Sequence, residues 1–136
     1  MFDENRLSAR SPHALAALRI VTALLLIEHG TQKLFGFPGA FPMDMNPLLW
    51  VAALLEVFGG LLVLVGFFTR PAAFILSGEM AVGYFMVHAP QGFYPLFNGG
   101  EPAVLFCFVF LFLVFAGPGA WSVDAMRSGA NARAGA

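Results

Sequence analysis

Long apolar runs, broken at four places by clusters of Pro, Gly and Asn, set the pattern of this chain. A helix that crosses a hydrocarbon core needs about 20 mostly apolar residues. Residues 13–35, 48–68, 71–89 and 102–121 each meet that requirement. The breaks are FPGAFPMDMNP, the tight Thr69-Arg70 turn, PQGFYPLFNGGE and the GPG of Gly117 to Gly119, all rich in turn-forming residues. Pro71 and Pro102 fall at first-turn positions, where a missing N–H costs nothing. The pattern predicts an all-α fold, a bundle of four transmembrane helices over residues 13–122. A segment over 1–12 precedes it, and a flexible tail over 123–136 follows.

Composition strengthens this reading. Of 136 residues 59% are hydrophobic and only 11% are charged, with a mean hydropathy of +0.78. A soluble domain carries about 25% charged residues, so these side chains cannot cover a water-facing surface. The lipid bilayer is the implied partner, and the cytoplasmic (inner) membrane the implied location. The first apolar run could pass for a secretory signal behind Arg6 and Arg10. It is too long, is interrupted by Arg19 and ends in EHGTQK without a small-x-small cleavage site, so it is expected to stay in the mature protein.

Four spans place both termini and the Thr69-Arg70 turn on one side. That side holds Arg6, Arg10, Arg70, Arg127 and Arg133, whereas Lys33 is the only basic residue near a helix end on the other. The positive-inside rule therefore predicts cytoplasmic termini. With a net charge of -1 and no basic stripe, the chain is not expected to bind nucleic acid. Cys107 is the sole cysteine, so an intrachain disulfide and a CxxC redox pair are excluded, and its LFCFVF surroundings suggest packing.

Against this apolar background the charges stand out. Arg19, Glu28, His29 and Lys33 lie in the first span, Glu56 in the second, Glu79 and His88 in the third, and Glu101 opens the fourth. At about 1.5 Å of rise per residue, Glu28, Glu56 and Glu79 fall roughly 10, 12 and 15 Å from the outer helix ends, in one layer. Three carboxylates at one depth in a low dielectric cannot all stay ionised without cations or protons. Lys33 and His29 lie just outward of the layer, and Arg19 far inward. Gly60 beside Glu56, and Gly83 beside Glu79, leave room for close helix approach or for a partner. A bundle with a polar interior opening outward is the expectation. Its alternative is that these side chains serve only as interhelical glue.

Other chemistry finds less support. No helix carries Glu-x-x-His, so no metal site is expected, and two isolated histidines read as structural residues better than as haem ligands. Phe35, Phe37, Phe41, Phe93, Tyr94 and Phe97 gather at the outer mouth. They form either the ordinary interfacial belt or a lining for a flat ring such as a quinone headgroup.

Several of these residues also form an ordered set. Arg19, HGTQKLFG with Gly30 and Lys33, EVFGGLLVLVGFFTRPAA with Glu56, Gly59, Gly60, Gly66, Thr69 and Arg70, then Met80, NGGE with Glu101, and GPGAWSVD with Gly117, Gly119, Ser122 and Asp124 resemble the DoxX family of small four-helix membrane proteins. The resemblance spans about residues 15–125. It implies association with quinol oxidation, thiosulfate:quinone oxidoreduction, redox stress and thiol handling, and points to Arg19, Lys33, Glu56, Arg70, Glu101 and Asp124.

Three functional expectations follow. In the first, the chain is a quinone-linked oxidoreductase subunit. Glu56, Glu79 and Lys33 act on the ligand and Glu28, His29, Arg19, His88 and Glu101 help bind it, with quinone the only cofactor suggested. In the second, it is a proton-coupled carrier or exporter of a small hydrophobic or acidic compound. In the third, it is a non-catalytic scaffold for soluble redox enzymes. The small interior of four helices suggests a homo-oligomer or a partner redox subunit.

Overall fold

The computed structural model describes the backbone of residues 3–134 and the side chains of residues 3–129. Arg133, counted above among the positive charges of one side, has its side chain outside the described residues, as do residues 1–2 and 135–136 entirely. The fold is all-α among the described residues. Helices α1 (Glu4–Phe35), α2 (Pro47–Val65) and α3 (Thr69–Gln91) are long and apolar enough to span a membrane, and α4 (Glu101–Ala116) is a shorter apolar helix. A further helix, α5 (Val123–Ala134), follows.

Local chemistry explains the helix ends. Asp3 caps α1 by accepting from the Asn5 amide at 3.1 Å, so helix starts in the polar segment well before the apolar run. Gly36, in the left-handed region with φ 65°, ends it. Asn46 caps α2 through the Leu49 amide at 3.0 Å, with Pro47 in the first turn, and Gly66 stops it at φ 68°. Gly117 stops α4 at Ala116, five residues short of the expected Trp121. At 1.5 Å per residue α4 is roughly 24 Å long, whereas α1 at roughly 48 Å overshoots a ~30 Å hydrocarbon core.

Residues 123–134, within the segment expected to be a flexible tail, are helical. Ser122 Oγ accepts from the Ala125 amide at 3.1 Å and so caps α5, while Asp124 is tied back to the bundle. Its carboxylate accepts from the Phe68 amide at 3.1 Å and the Thr69 amide at 2.9 Å, capping α3 from 55 residues away. Phe68, with φ 48°, has no side chain able to do this itself.

Arg19 is central to the same end. It is fully buried, and all five of its N–H groups are used. Nε donates to Pro118 O at 2.8 Å, Nη1 to Val63 O at 2.9 Å and Leu64 O at 2.7 Å, and Nη2 to Ala120 O at 3.1 Å and Trp121 O at 2.8 Å. One cation thus closes the carbonyl end of α2 and the GPGAW loop together. Arg70 does the same for α4, with Nη1 donating to Val114 O at 2.6 Å and Phe115 O at 2.7 Å.

Helices α1 and α2 pack along each other, as do α3 and α4. A Cβ on Gly30 would stand 2.6 Å from Val57 Cγ2, and one on Gly60 would stand 2.7 Å from Ile27 Cγ1. Small residues therefore set the α1–α2 distance. Ala23, Leu26, Val63, Leu76, Phe110 and Leu113 make the small core. Phe58, Phe74, Phe85, Phe108 and Phe115 point away from it and give the lipid-facing surface.

Two outcomes are expected. Gly30→Val should cost about 1–3 kcal/mol through overpacking, read as a lower unfolding midpoint in mild detergent. For Asp124, burial disfavours its charge, but the Thr69 and Phe68 amides, helped by Arg127, outweigh that and hold its pKa below the ordinary value. A lowered folded-state pKa gives stability that is complete above the unfolded value of about 3.9 and is lost as pH falls through the folded value. Asp124→Ala should therefore destabilise by about 0.5–2 kcal/mol at neutral pH, with the gap from wild type narrowing below about pH 4.

Candidate functional site

At the bundle end opposite the termini, Lys33 is carried by the last turn of α1, one turn beyond Gly30. The close approach at Gly30 brings it against α2. Its Nζ donates to both carboxylate oxygens of Glu56, at 2.8 Å to Oε1 and 2.6 Å to Oε2. The two side chains are only 11% and 4% exposed, so the pair is removed from water and each charge depends on the other.

Glu56 sits in a π-helical turn, Leu55–Gly59, inside α2. Such turns insert one extra residue into the i→i+4 ladder and recur at functional sites. Beyond Glu56, Gly59 faces Leu76 of α3 and Gly60 faces Ile27 of α1, so α2 presents small residues to both neighbours. Glu79 of α3 lies within electrostatic reach of both Glu56 and Lys33. Its Oε2 is buried and has no hydrogen-bond partner. Two carboxyls and one ammonium from three helices thus form one cluster with a negative charge unmatched when both acids are ionised.

Phe41, in the loop after α1, lies over Lys33 with its ring centroid 5.6 Å from Nζ. Sequence reasoning grouped it with the other aromatics of this end. Phe35, Phe37, Phe93, Tyr94 and Phe97 are exposed and form the interfacial belt, whereas Phe41 turns inward over the cation. The cluster is accordingly packed and covered rather than an open polar pocket. Two grooves, one around Trp121 and one around Arg70, lie at the other end.

The remaining candidates are placed elsewhere. Glu28 is exposed on α1 and does not join Glu56 and Glu79, so the expected layer of three acids reduces to two. His29 presents an edge to Phe106 of α4, with ring centroids 5.7 Å apart. His88 Nδ1 is 3.0 Å from Asn98 O and stacks at 6.2 Å on Tyr84, ordering the loop before α4. Glu101 is exposed in the first turn of α4, where its charge suits the helix dipole. Arg19 is at the opposite end with every donor spent on backbone. Sequence reasoning missed Asn98, which is buried and bonds Tyr84 Oη, Gly92 O and the Gly100 amide. Its only signal was the NGG turn. It also missed Ser77, whose Oγ donates to Cys107 O at 2.8 Å.

Lys33→Met should leave Glu56 buried without its cation and cost about 3–5 kcal/mol. The double variant with Glu56→Gln should recover most of that loss, as a double-mutant cycle on unfolding in detergent would read.

Comparison with known proteins agrees with this architecture. The DoxX family model matches residues 14–89, which include Arg19, Lys33, Glu56, Arg70 and Glu79. The chain is 46% identical to an uncharacterized protein of Haemophilus influenzae, covering 88% of this chain and 95% of that one. It is 31% identical to the inner membrane protein YphA of Escherichia coli, covering 85% and 91%. It is 32% identical to the inner membrane protein YqjF of Escherichia coli, covering 78% and 85%. No solved structure matches it. With its apolar helices and these relatives, the chain is a multi-pass inner-membrane protein, and it belongs to the DoxX family.

Proposed function

We propose that the Lys33–Glu56–Glu79 cluster is a proton-exchanging binding site for a small molecule with paired carbonyl or hydroxyl oxygens, a quinone or quinol, and that the protein is a redox-associated membrane subunit. The observation that carries this reading is the buried Glu79 Oε2 without a partner, beside a cluster that lacks one positive charge. A buried polar atom of this kind calls for a ligand, a proton or water. Glu56 holds the Lys33 ammonium in place through two of its three protons, leaving the third to donate to a ligand oxygen. Glu79 takes or gives the hydroxyl proton. The cluster supplies protons and orientation only, and the electrons come from a partner redox protein. Phe41 excludes water from the ammonium until a flat ring displaces it.

The topology is part of the same proposal. Arg6, Arg10, Arg70 and Arg127 are at the end that carries the termini and Lys33 at the other, which supports cytoplasmic termini and a cluster in the outer half of the membrane.

Dicyclohexylcarbodiimide, which modifies protonated carboxyls in apolar surroundings, should label Glu79 in purified protein, and a short-chain ubiquinone should protect it. Glu79→Gln should weaken quinone binding about tenfold, the loss of the carboxyl's hydrogen bond to the ligand. Unchanged quinone affinity in Glu79→Gln would sink the reading. Proton-coupled uptake into liposomes without redox change would replace it with a carrier.

A further inference from the structure

The end of the bundle that carries the termini holds a second cluster of charge, unconnected with the first. A groove of about 550 Å³ runs between the start of α3 and α5, lined by Thr69, Arg70, Pro118, Asp124, Arg127 and Ser128. Its charges are two guanidiniums against one carboxylate. Both oxygens of that carboxylate accept backbone amides, and neither arginine forms an ion pair among the described residues. Arg127 is held in place over aromatic faces, 5.3 Å from the Phe67 centroid and 5.8 Å from that of Phe68. Arg70 spends Nη1 on the α4 carbonyls, which leaves Nε and Nη2 for a ligand. Two anchored guanidiniums with free N–H groups and one uncompensated positive charge suit a phosphate.

The surroundings select the carrier of that phosphate. An apolar groove of about 690 Å³, lined by Val65, Trp121 and Met126, adjoins the first at Ala125. Trp121 and Phe68 are exposed beside it, as interfacial aromatics are at headgroup level. We propose that this paired groove binds an anionic phospholipid, with its headgroup phosphate between Arg70 and Arg127 and the start of an acyl chain against Trp121 and Met126. Helix α5 is thereby held by a specific lipid as well as by the bonds of Asp124 to the bundle.

Native mass spectrometry of the detergent-purified full chain, supplied with equal amounts of phosphatidylglycerol and phosphatidylcholine, tests this. Phosphatidylglycerol should be retained in preference. Arg127→Gln should weaken its retention about fivefold, the effect of removing one cation from an anionic surface, while Arg127→Lys should restore part of it. Arg6→Gln, at the same end but outside the groove, should change nothing. Equal retention of the two lipids, or the same loss from Arg6→Gln as from Arg127→Gln, would overturn the site. Full displacement of the lipid by millimolar inorganic phosphate would overturn the lipid assignment in favour of a free anion. None of these readouts involves Glu79 or quinone.

Discussion

Five hydrogen bonds from one buried guanidinium hold the bundle's terminal end in register. In hydrocarbon every unpaired carbonyl is expensive, and a helix leaves its last carbonyls without partners. Here the chain must also turn between α4 and α5 within six residues, through Gly117 to Ser122, exposing still more of them. Arg19 satisfies both demands from a third helix, so α1, α2 and the GPGAW loop cannot move independently. Gly66 is the complement of this arrangement, since a Cβ there would stand 2.7 Å from Arg19 Nη1 and overlap Ser122 Cβ.

The molecule divides its charged residues by task. Arg19, Arg70, Asp124 and Ser122 close helix ends with well-made hydrogen bonds and leave little for chemistry. Lys33, Glu56 and Glu79 gather at the other end, where Glu79 Oε2 is left without a partner. Much of the ordered set that resembles the DoxX family therefore encodes the knot that folds the protein, and only Lys33 and Glu56, with the glycines that let them meet, bear on the cluster. Fold and site share one constraint, because the α1–α2 approach at Gly30 and Gly60 both builds the core and delivers the ammonium to its carboxylate.

The four apolar runs made the helices legible, because hydrophobic length is a property of composition alone. Helix ends were less so. The start of α1 at Glu4 depends on a cap by Asp3, and the helicity of residues after Ser122 depends on Asp124 reaching Phe68 and Thr69, a pairing across 55 residues that no local pattern reveals. Depth along a helix was estimated from rise per residue, and Glu79 does lie in the electrostatic field of Glu56 and Lys33. Azimuth was not. Glu28, expected in the same layer, is exposed, and the π-helical turn at Leu55–Gly59 alters the register that a straight helix would give. Arg19 looked like a pocket residue because a sequence shows a charge and not the carbonyls waiting for it.

The shortness of α4 has a mechanical consequence for the surrounding lipid. Sixteen helical residues fall several ångströms below the hydrocarbon thickness that the other three helices span. Acyl chains beside α4 must compress or tilt to match it, while those beside α1 need not, so the protein sits in an asymmetric dimple. The elastic cost of that mismatch, fractions of a kcal/mol per ångström, falls on the α4 side and not evenly around the bundle.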